Sequence, residues 1–171
     1  MGIKFINITE TEFLSKKLIY KYMPLEFALG AINEKYIWLC NPALWKDPFE
    51  RRFIEAKYLV NGKEVDFPLK GQIFCTCLTQ TITSEAHWNN YPNGQIGISF
   101  KINRKKLLQA LDVYSSDYEI YVGRVEYIKS SELKKKLSDI DHINKIHPFR
   151  ISNRMLQIKM LLLKRIAFQY E

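Results

Sequence analysis

The chain has 171 residues, of which 47% are hydrophobic and 26% charged; this suffices for one domain with a sizeable core and excludes a largely disordered chain. Lys and Arg number 26 against 18 Asp and Glu, a net charge of +8, so nucleic acid or another polyanion is a reasonable partner, although a solvated basic face fits as well. No apolar run reaches the roughly 18 residues of a membrane span, and residues 1–19 lack the basic-then-apolar layout of a signal peptide, so no membrane partner and a cytoplasmic location are expected.

In chain order, residues 8–18 predict a short helix or an extended arm. Residues 18–22 (LIYKY) read as a strand stopped by Met23-Pro24, because proline removes a backbone donor and biases its predecessor to extended geometry. A helix over 25–33 follows, with Leu25, Ala28, Leu29 and Ile32 on one face at helical spacing. Residues 36–40 (YIWLC) predict a second apolar strand, and 41–50 leave it in an aromatic-rich segment with two prolines, Pro42 and Pro48. Residues 53–60 and 63–67 flank Asn61-Gly62, a strong hairpin signal because both residues accept positive φ.

The stretch 71–102 organises the rest. Two runs rich in β-formers, 73–78 (IFCTCL) and 96–100 (IGISF), predict central strands. Between them, residues 84–91 fit a helix of about two turns, with Ser84 as the capping residue, Pro92-Asn93-Gly94 as the stop, and Trp88 and Tyr91 on one face. Cys75 and Cys77 alternate along one strand and so share a face, which predicts core thiols rather than a disulfide; no neighbouring residues complete a zinc site. The small, odd cysteine count fits a reducing compartment.

Asn103 can cap a helix over 104–111, with Leu107, Leu108 and Leu111 facing inward and Arg104, Lys105 and Lys106 outward. Residues 118–127 predict a strand with a bulge near Gly123, 130–137 a basic helix, 153–163 a strongly apolar helix and 165–170 a closing strand. There are no repeats or low-complexity linkers, so residues 1–171 are expected to form a single domain. The hairpin and the irregular mixture of helices and strands predict an α+β fold with mainly antiparallel strands and helices packed on the sheet.

The chain contains no phosphate-binding loop, G-x-G-x-x-G, H-E-x-x-H or G-x-S-x-G motif. Asp47, Glu50, Glu85 and His87 are oxygen and nitrogen donors that can in principle hold Mg²⁺. Asp47 before Pro48 is also a common turn initiator, and Glu85 in a first helical turn favourably meets the helix dipole; these structural readings are preferred, and no metal is expected. His142 and His147, five residues apart, have no ligand spacing and read as surface residues.

Residues 18–22, then Trp45-Lys46-Asp47-Pro48-Phe49-Glu50, then 74–78, the Trp- and Tyr-bearing segment 84–91, and Gly94-Gln95-Ile96-Gly97-Ile98-Ser99-Phe100 together resemble the bacterial family known as domain of unknown function 2971. The resemblance covers nearly the whole chain. Its most specific piece is Asp47-Pro48-Phe49-Glu50, which the family usually precedes with Asn where this chain has Lys46. It also implies a Tyr-Glu-x-Glu-x-Arg segment, of which 168–171 would be the beginning, and so a truncated C-terminus.

The family's layout is similar to the ADP-ribosyltransferase fold, which implies an ADP-ribosyltransferase-like arrangement and NAD as the cofactor. On that resemblance Tyr20 or Lys21 stands at the first-strand position, Thr76 supplies the hydroxyl of a middle strand, and Glu171 takes the place of the catalytic Glu. Lys21 departs from the usual Arg or His. Thr76 and Glu171 are thus the implied catalytic residues, and Tyr20, Lys21, Tyr22, Trp38 and Trp88 the implied cofactor-binding ones, with Tyr36 as a further candidate for stacking. A carboxylate there can stabilise positive charge developing on the ribose, or polarise the acceptor. Alternate tyrosines on a strand also simply pack on one sheet face, and that reading of Tyr20 and Tyr22 stands beside the first.

Two functions from different classes follow. The first is an NAD-dependent ADP-ribosyltransferase-like toxin or phage-defence effector that modifies a macromolecule, nucleic acid among them. The second is a non-catalytic basic binding module in a toxin–antitoxin or defence assembly, with an antitoxin or defence protein as partner. The basic helix around Lys134-Lys135-Lys136 and the apolar helix over 153–163 suit the second.

Overall fold

The computed structural model describes residues 2–45, 51, 54–55, 57–60, 63–67, 69–82, 88, 96–129, 131–132, 135, 158–159 and 161–165. The chain divides into two compact units, one built from Met1–Trp38 and Thr76–Arg124, the other from Leu39–Cys75 and Val125–Gln169. Helices and strands are mixed in an α+β chain.

In the first unit, strand β1 (Lys4–Ile6) leads to helix α1 (Glu10–Leu14). Thr9 opens α1 with a reciprocal capping box: the Glu12 N–H donates to Thr9 Oγ1 at 3.2 Å and the Thr9 N–H donates to the Glu12 carboxylate at 2.8 Å. The Thr9 backbone N–H foremost, and then the Thr9 hydroxyl, which also donates to the carboxylate, hold the Glu12 carboxyl below the ordinary glutamate range. A group whose pKa is depressed by folding contributes stability above its unfolded value, about 4.3, and loses it as the pH falls through the folded value. Thr9→Ala should cost about 1 kcal/mol at neutral pH. Alanine keeps the backbone donor and loses the hydroxyl that also donates to the carboxylate at 3.0 Å, so urea unfolding of both proteins should show part of that difference fading as the pH drops below about 4.3; no difference in stability at neutral pH would contradict the box.

Strand β2 (Leu18–Pro24) pairs antiparallel with β5 (Gly97–Asn103), in register from Leu18↔Asn103 to Pro24↔Gly97. The strand thus runs through Met23-Pro24 instead of stopping before it. Pro24 is extended (φ −58°, ψ 146°) and occupies the last pair; like Tyr20, which bonds to Thr79, it turns its nitrogen to the free edge, so its missing donor costs no bond of the β2–β5 ladder. The ladder hands on directly to helix α2 (Leu25–Glu34), whose first N–H donates to the Ile96 carbonyl at 2.8 Å.

Helix α2 packs on β2 and β5 with Ala28 fully buried, while Leu29 and Ile32 are more than half exposed, so only part of its apolar face is covered. It ends at Lys35 in the left-handed region, φ 57°. A side chain with a Cβ is strained there, so Lys35→Gly should stabilise the protein by about 0.5–1 kcal/mol, read from the denaturant midpoint. A loss of stability would contradict this cap geometry.

Helix α3 (Arg104–Asp112) begins where β5 ends, with the Asn103 side chain accepting from the Lys106 N–H at 3.1 Å. Leu108 is buried and joins Phe13 and Ile19 in the core, with Phe5, Leu78, Ile102 and Leu107 packed around them. Arg104 is a correction. It is 1% exposed, not outward. Its Nε donates to the Leu18 carbonyl at 2.9 Å and its Nη1 to the Phe13 carbonyl at 2.6 Å, and the guanidinium lies 5.1 Å from the centre of the Phe13 ring. Phe13 is in the last turn of α1, where carbonyls have no helical partner, so Arg104 satisfies a group that would otherwise be orphaned. Burial lowers the Arg104 pKa, and the side chain stays charged because arginine starts so high.

Strand β6 (Tyr121–Gly123) pairs parallel with β1, Phe5 opposite Val122. The strand predicted over 118–127 divides here, and its second half is strand β7 (Glu126–Ile128) of the other unit.

Residues 36–40, which run from the first unit into the second, do not form the predicted strand: among the described residues Cys40 alone of them forms a bridge, with Cys75, and Ile37, Trp38 and Leu39 on the approach are exposed. Asn41 then caps a single 3-10 turn, Pro42–Leu44, its side chain accepting from the Ala43 N–H at 2.9 Å. The run 73–78 is likewise not a regular strand, because its backbone changes partner: Cys75 bonds to Cys40 and Thr79 to Tyr20, with no continuous ladder on either.

The predicted hairpin is present, shorter than expected. Strands β3 (Tyr58–Val60) and β4 (Lys63–Val65) pair antiparallel with Val60 opposite Lys63, which leaves a two-residue connection, whereas Arg51, Ile54 and Glu55 are helical. Lys57 and Asp66 form an ion pair at 2.6 Å just outside it. Strand β7 pairs parallel with β8 (Leu163–Arg165), so Leu163 ends in a strand rather than in the predicted helix. Pairing among the described residues is therefore mixed: the seven-residue pair and the hairpin are antiparallel, and two three-residue pairs are parallel. No helix among the described residues is long and apolar enough to cross a membrane.

Candidate functional site

Strand β2 positions the first three candidates. Alternation places Lys21 on one face of the strand and Tyr20 and Tyr22 on the other. On its free edge, Tyr20 and Thr79 exchange backbone hydrogen bonds, both at 2.8 Å, and this single bridge holds the 76–79 segment alongside the strand. The consequence is a direct contact that sequence spacing could not show. Lys21 Nζ donates to the Thr76 hydroxyl, and both residues are half-buried.

The opposite face carries aromatic residues. Tyr22 is 4% exposed, its hydroxyl donates to the Ile82 carbonyl, and its ring meets that of Trp88 edge-on, centres 4.8 Å apart at 88°. Trp88, in helical conformation, keeps 42% of its surface exposed. Tyr22 is a supporting residue here and does not offer an open ring face. Ser99 stands opposite Tyr22 in the β2–β5 register, and its Oγ is buried with no hydrogen-bond partner among the described residues. Sequence reasoning missed Ser99 because its position opposite Tyr22 becomes visible only once the register is known.

Trp38 is 59% exposed and lies 6.3 Å from Tyr36, rings tilted by 58°. Gly30 makes room for that pair, since a Cβ there would stand 2.8 Å from the Tyr36 hydroxyl. The structure thus joins Lys21 with Thr76, and Tyr22 with Trp88; Tyr20 lies on the Tyr22 side, and Trp38 pairs with Tyr36. Glu171 lies outside the described residues, as do Asp47, Glu50, Glu85, His87, Tyr91, His142 and His147. Among the described residues no cluster of His, Cys, Asp or Glu has a metal-binding arrangement.

A cavity of about 360 Å³ in the first unit is lined by Ile3, Phe5, Glu10, Leu108 and Asp112 among others, and none of the candidate residues reaches it. The donor set of the candidate site is a lysine ammonium and a threonine hydroxyl; Ser99, opposite Tyr22 in the register, lies on the other face of the strand pair. Such groups suit phosphate and ribose oxygens, and the exposed rings of Trp38 and Trp88 suit a flat heterocycle. Comparison of the chain with family models, with curated proteins and with solved structures gives no match.

Proposed function

We propose that the protein is an NAD-dependent ADP-ribosyltransferase-like effector, related to the domain of unknown function 2971 family, that modifies a macromolecule. The observation that carries the reading is the Lys21–Thr76 contact: the basic residue of the first-strand position and the hydroxyl of the middle segment, nominated separately, meet on one face of β2. NAD when bound supplies the ADP-ribosyl group, whose bond to nicotinamide is the one that breaks.

The chain's own residues have distinct tasks in this reading. Lys21 supplies a positive charge for a phosphate or ribose oxygen, and Thr76 both orients that ammonium and offers its own hydroxyl. Trp38 gives the stacking surface, and Tyr20 and Tyr22, with Trp88 held edge-on against Tyr22, support the strand from its other side. Glu171 contributes the carboxylate that favours charge developing on the ribose. The net charge of +8 favours a nucleic-acid acceptor.

Exposed Phe27, Leu29, Ile32, Ile37 and Trp38, on and just after α2, favour a second reading, a basic binding module for an antitoxin or defence protein. Calorimetry separates the two. NAD binding that weakens about 10-fold or more in Lys21→Met supports the first; a folded wild-type protein that binds no NAD overturns it.

A further inference from the structure

We infer that Cys40 and Cys75 form a reversible intramolecular disulfide, a modification site set by the bridge between them. Each donates its backbone N–H to the other's carbonyl, both at 2.9 Å, so they are directly opposite residues of an antiparallel pair. Opposite residues send their side chains to the same face, with Cα atoms about 5.5 Å apart in such a hydrogen-bonded pair, inside the range that a disulfide spans. Both residues are part-exposed thiols, which a small-molecule oxidant can reach. The Trp45 indole N–H donates to Cys40 Sγ at 3.2 Å and so holds one of the two sulfurs in a defined position.

The geometry also defines the kind of bond. Cβ atoms of a hydrogen-bonded pair stand wider than the roughly 3.8 Å average of a disulfide, so closure pulls on the two backbone hydrogen bonds of the bridge. A bond made under such strain is readily reduced, a property of labile rather than structural disulfides. The sequence pointed elsewhere, to Cys75 and Cys77 as neighbours on one strand; the structure gives Cys75 a partner 35 residues upstream instead. Cys40 and Cys75 also each lie within two residues of a point where the chain passes between its two units, at Trp38–Leu39 and at Cys75–Thr76.

The step is balanced with a low-molecular-weight disulfide as oxidant. One cysteine thiolate attacks a sulfur of the small disulfide, forming a mixed disulfide and releasing one small thiolate. The other cysteine then attacks the protein-side sulfur, forming the Cys40–Cys75 bond and releasing the second thiolate. The two released thiolates take up the two protons that the cysteines gave up, so the protein is oxidised by two electrons and the small disulfide reduced to two thiols.

The test treats the full chain, at low protein concentration, with oxidised glutathione, followed by thiol titration and peptide mapping under non-reducing conditions. Titratable thiols should fall from three to one, with a peptide pair joining Cys40 to Cys75 and full reversal by dithiothreitol. Cys77→Ser should give the same linked peptides, and Cys40→Ser should lose them while keeping the wild-type circular dichroism. A link through Cys77, single glutathione adducts without a link, or no loss of thiols in the folded protein would overturn the proposal.

Discussion

Arg104→Ala is expected to destabilise the protein by about 3 kcal/mol or more, lowering the melting temperature by roughly 10 °C. The substitution removes two donors from a charged group that is almost wholly buried, and it leaves the Leu18 and Phe13 carbonyls to find other partners. It also empties the volume beside the Phe13 ring. Arg104→Met separates these effects, because methionine restores most of the apolar volume and none of the donors. It should recover about 1 kcal/mol of the loss. Arg104→Lys keeps the charge yet cannot reproduce the fork that reaches two carbonyls at once, so it should remain well below wild type. Thermal and urea unfolding followed by circular dichroism measure all three; an Arg104→Met protein as stable as wild type would show that the two hydrogen bonds add nothing.

The second large effect belongs to the proposed chemistry. Lys21→Met keeps the length and most of the volume of the side chain while removing its charge, so any loss of ADP-ribose transfer reflects the ammonium rather than a collapsed strand. The expected loss is about 10²–10³-fold, the usual consequence of removing one charged donor from a site that stabilises developing charge. Thr76→Val removes the hydroxyl that Lys21 meets and should give a smaller loss, about 10-fold, if its main part is to orient the ammonium. Both variants should melt within a few degrees of wild type. Equal activity in all three proteins would remove Lys21 and Thr76 from the site.

How far the chain could be read in advance depended on whether local signals sufficed. The Asn61-Gly62 hairpin, the Asn103 cap and the strand containing Lys21 are written in a few adjacent residues, and the structure has all three. The runs 36–40 and 73–78 looked like strands by composition, but a strand needs a partner along its length, and among the described residues the bridges are single ones, at Cys40 with Cys75 and just beyond the second run at Thr79. Composition cannot report that.

Arg104 is buried although its residue type favours the surface. Its spacing from Leu107, Leu108 and Leu111 already put it on the inward stripe of the helix, and the period was the better guide than the charge. Of the candidate site, Lys21 and Thr76 were legible as residue types at strand positions; their contact was not, because 55 residues separate them and the register is set by the bridge between Tyr20 and Thr79. Tyr22 was legible as a β2 aromatic, but its burial against Trp88 was not.

The central claim is tested most directly by transfer of labelled ADP-ribose from NAD to the macromolecules of a bacterial lysate, comparing the protein with Glu171→Gln and Lys21→Met. The account predicts label on nucleic acid or protein with the unaltered chain, and about 10²-fold or greater loss in each variant. Absence of label from a folded, unaltered protein, or equal labelling by all three, would contradict it.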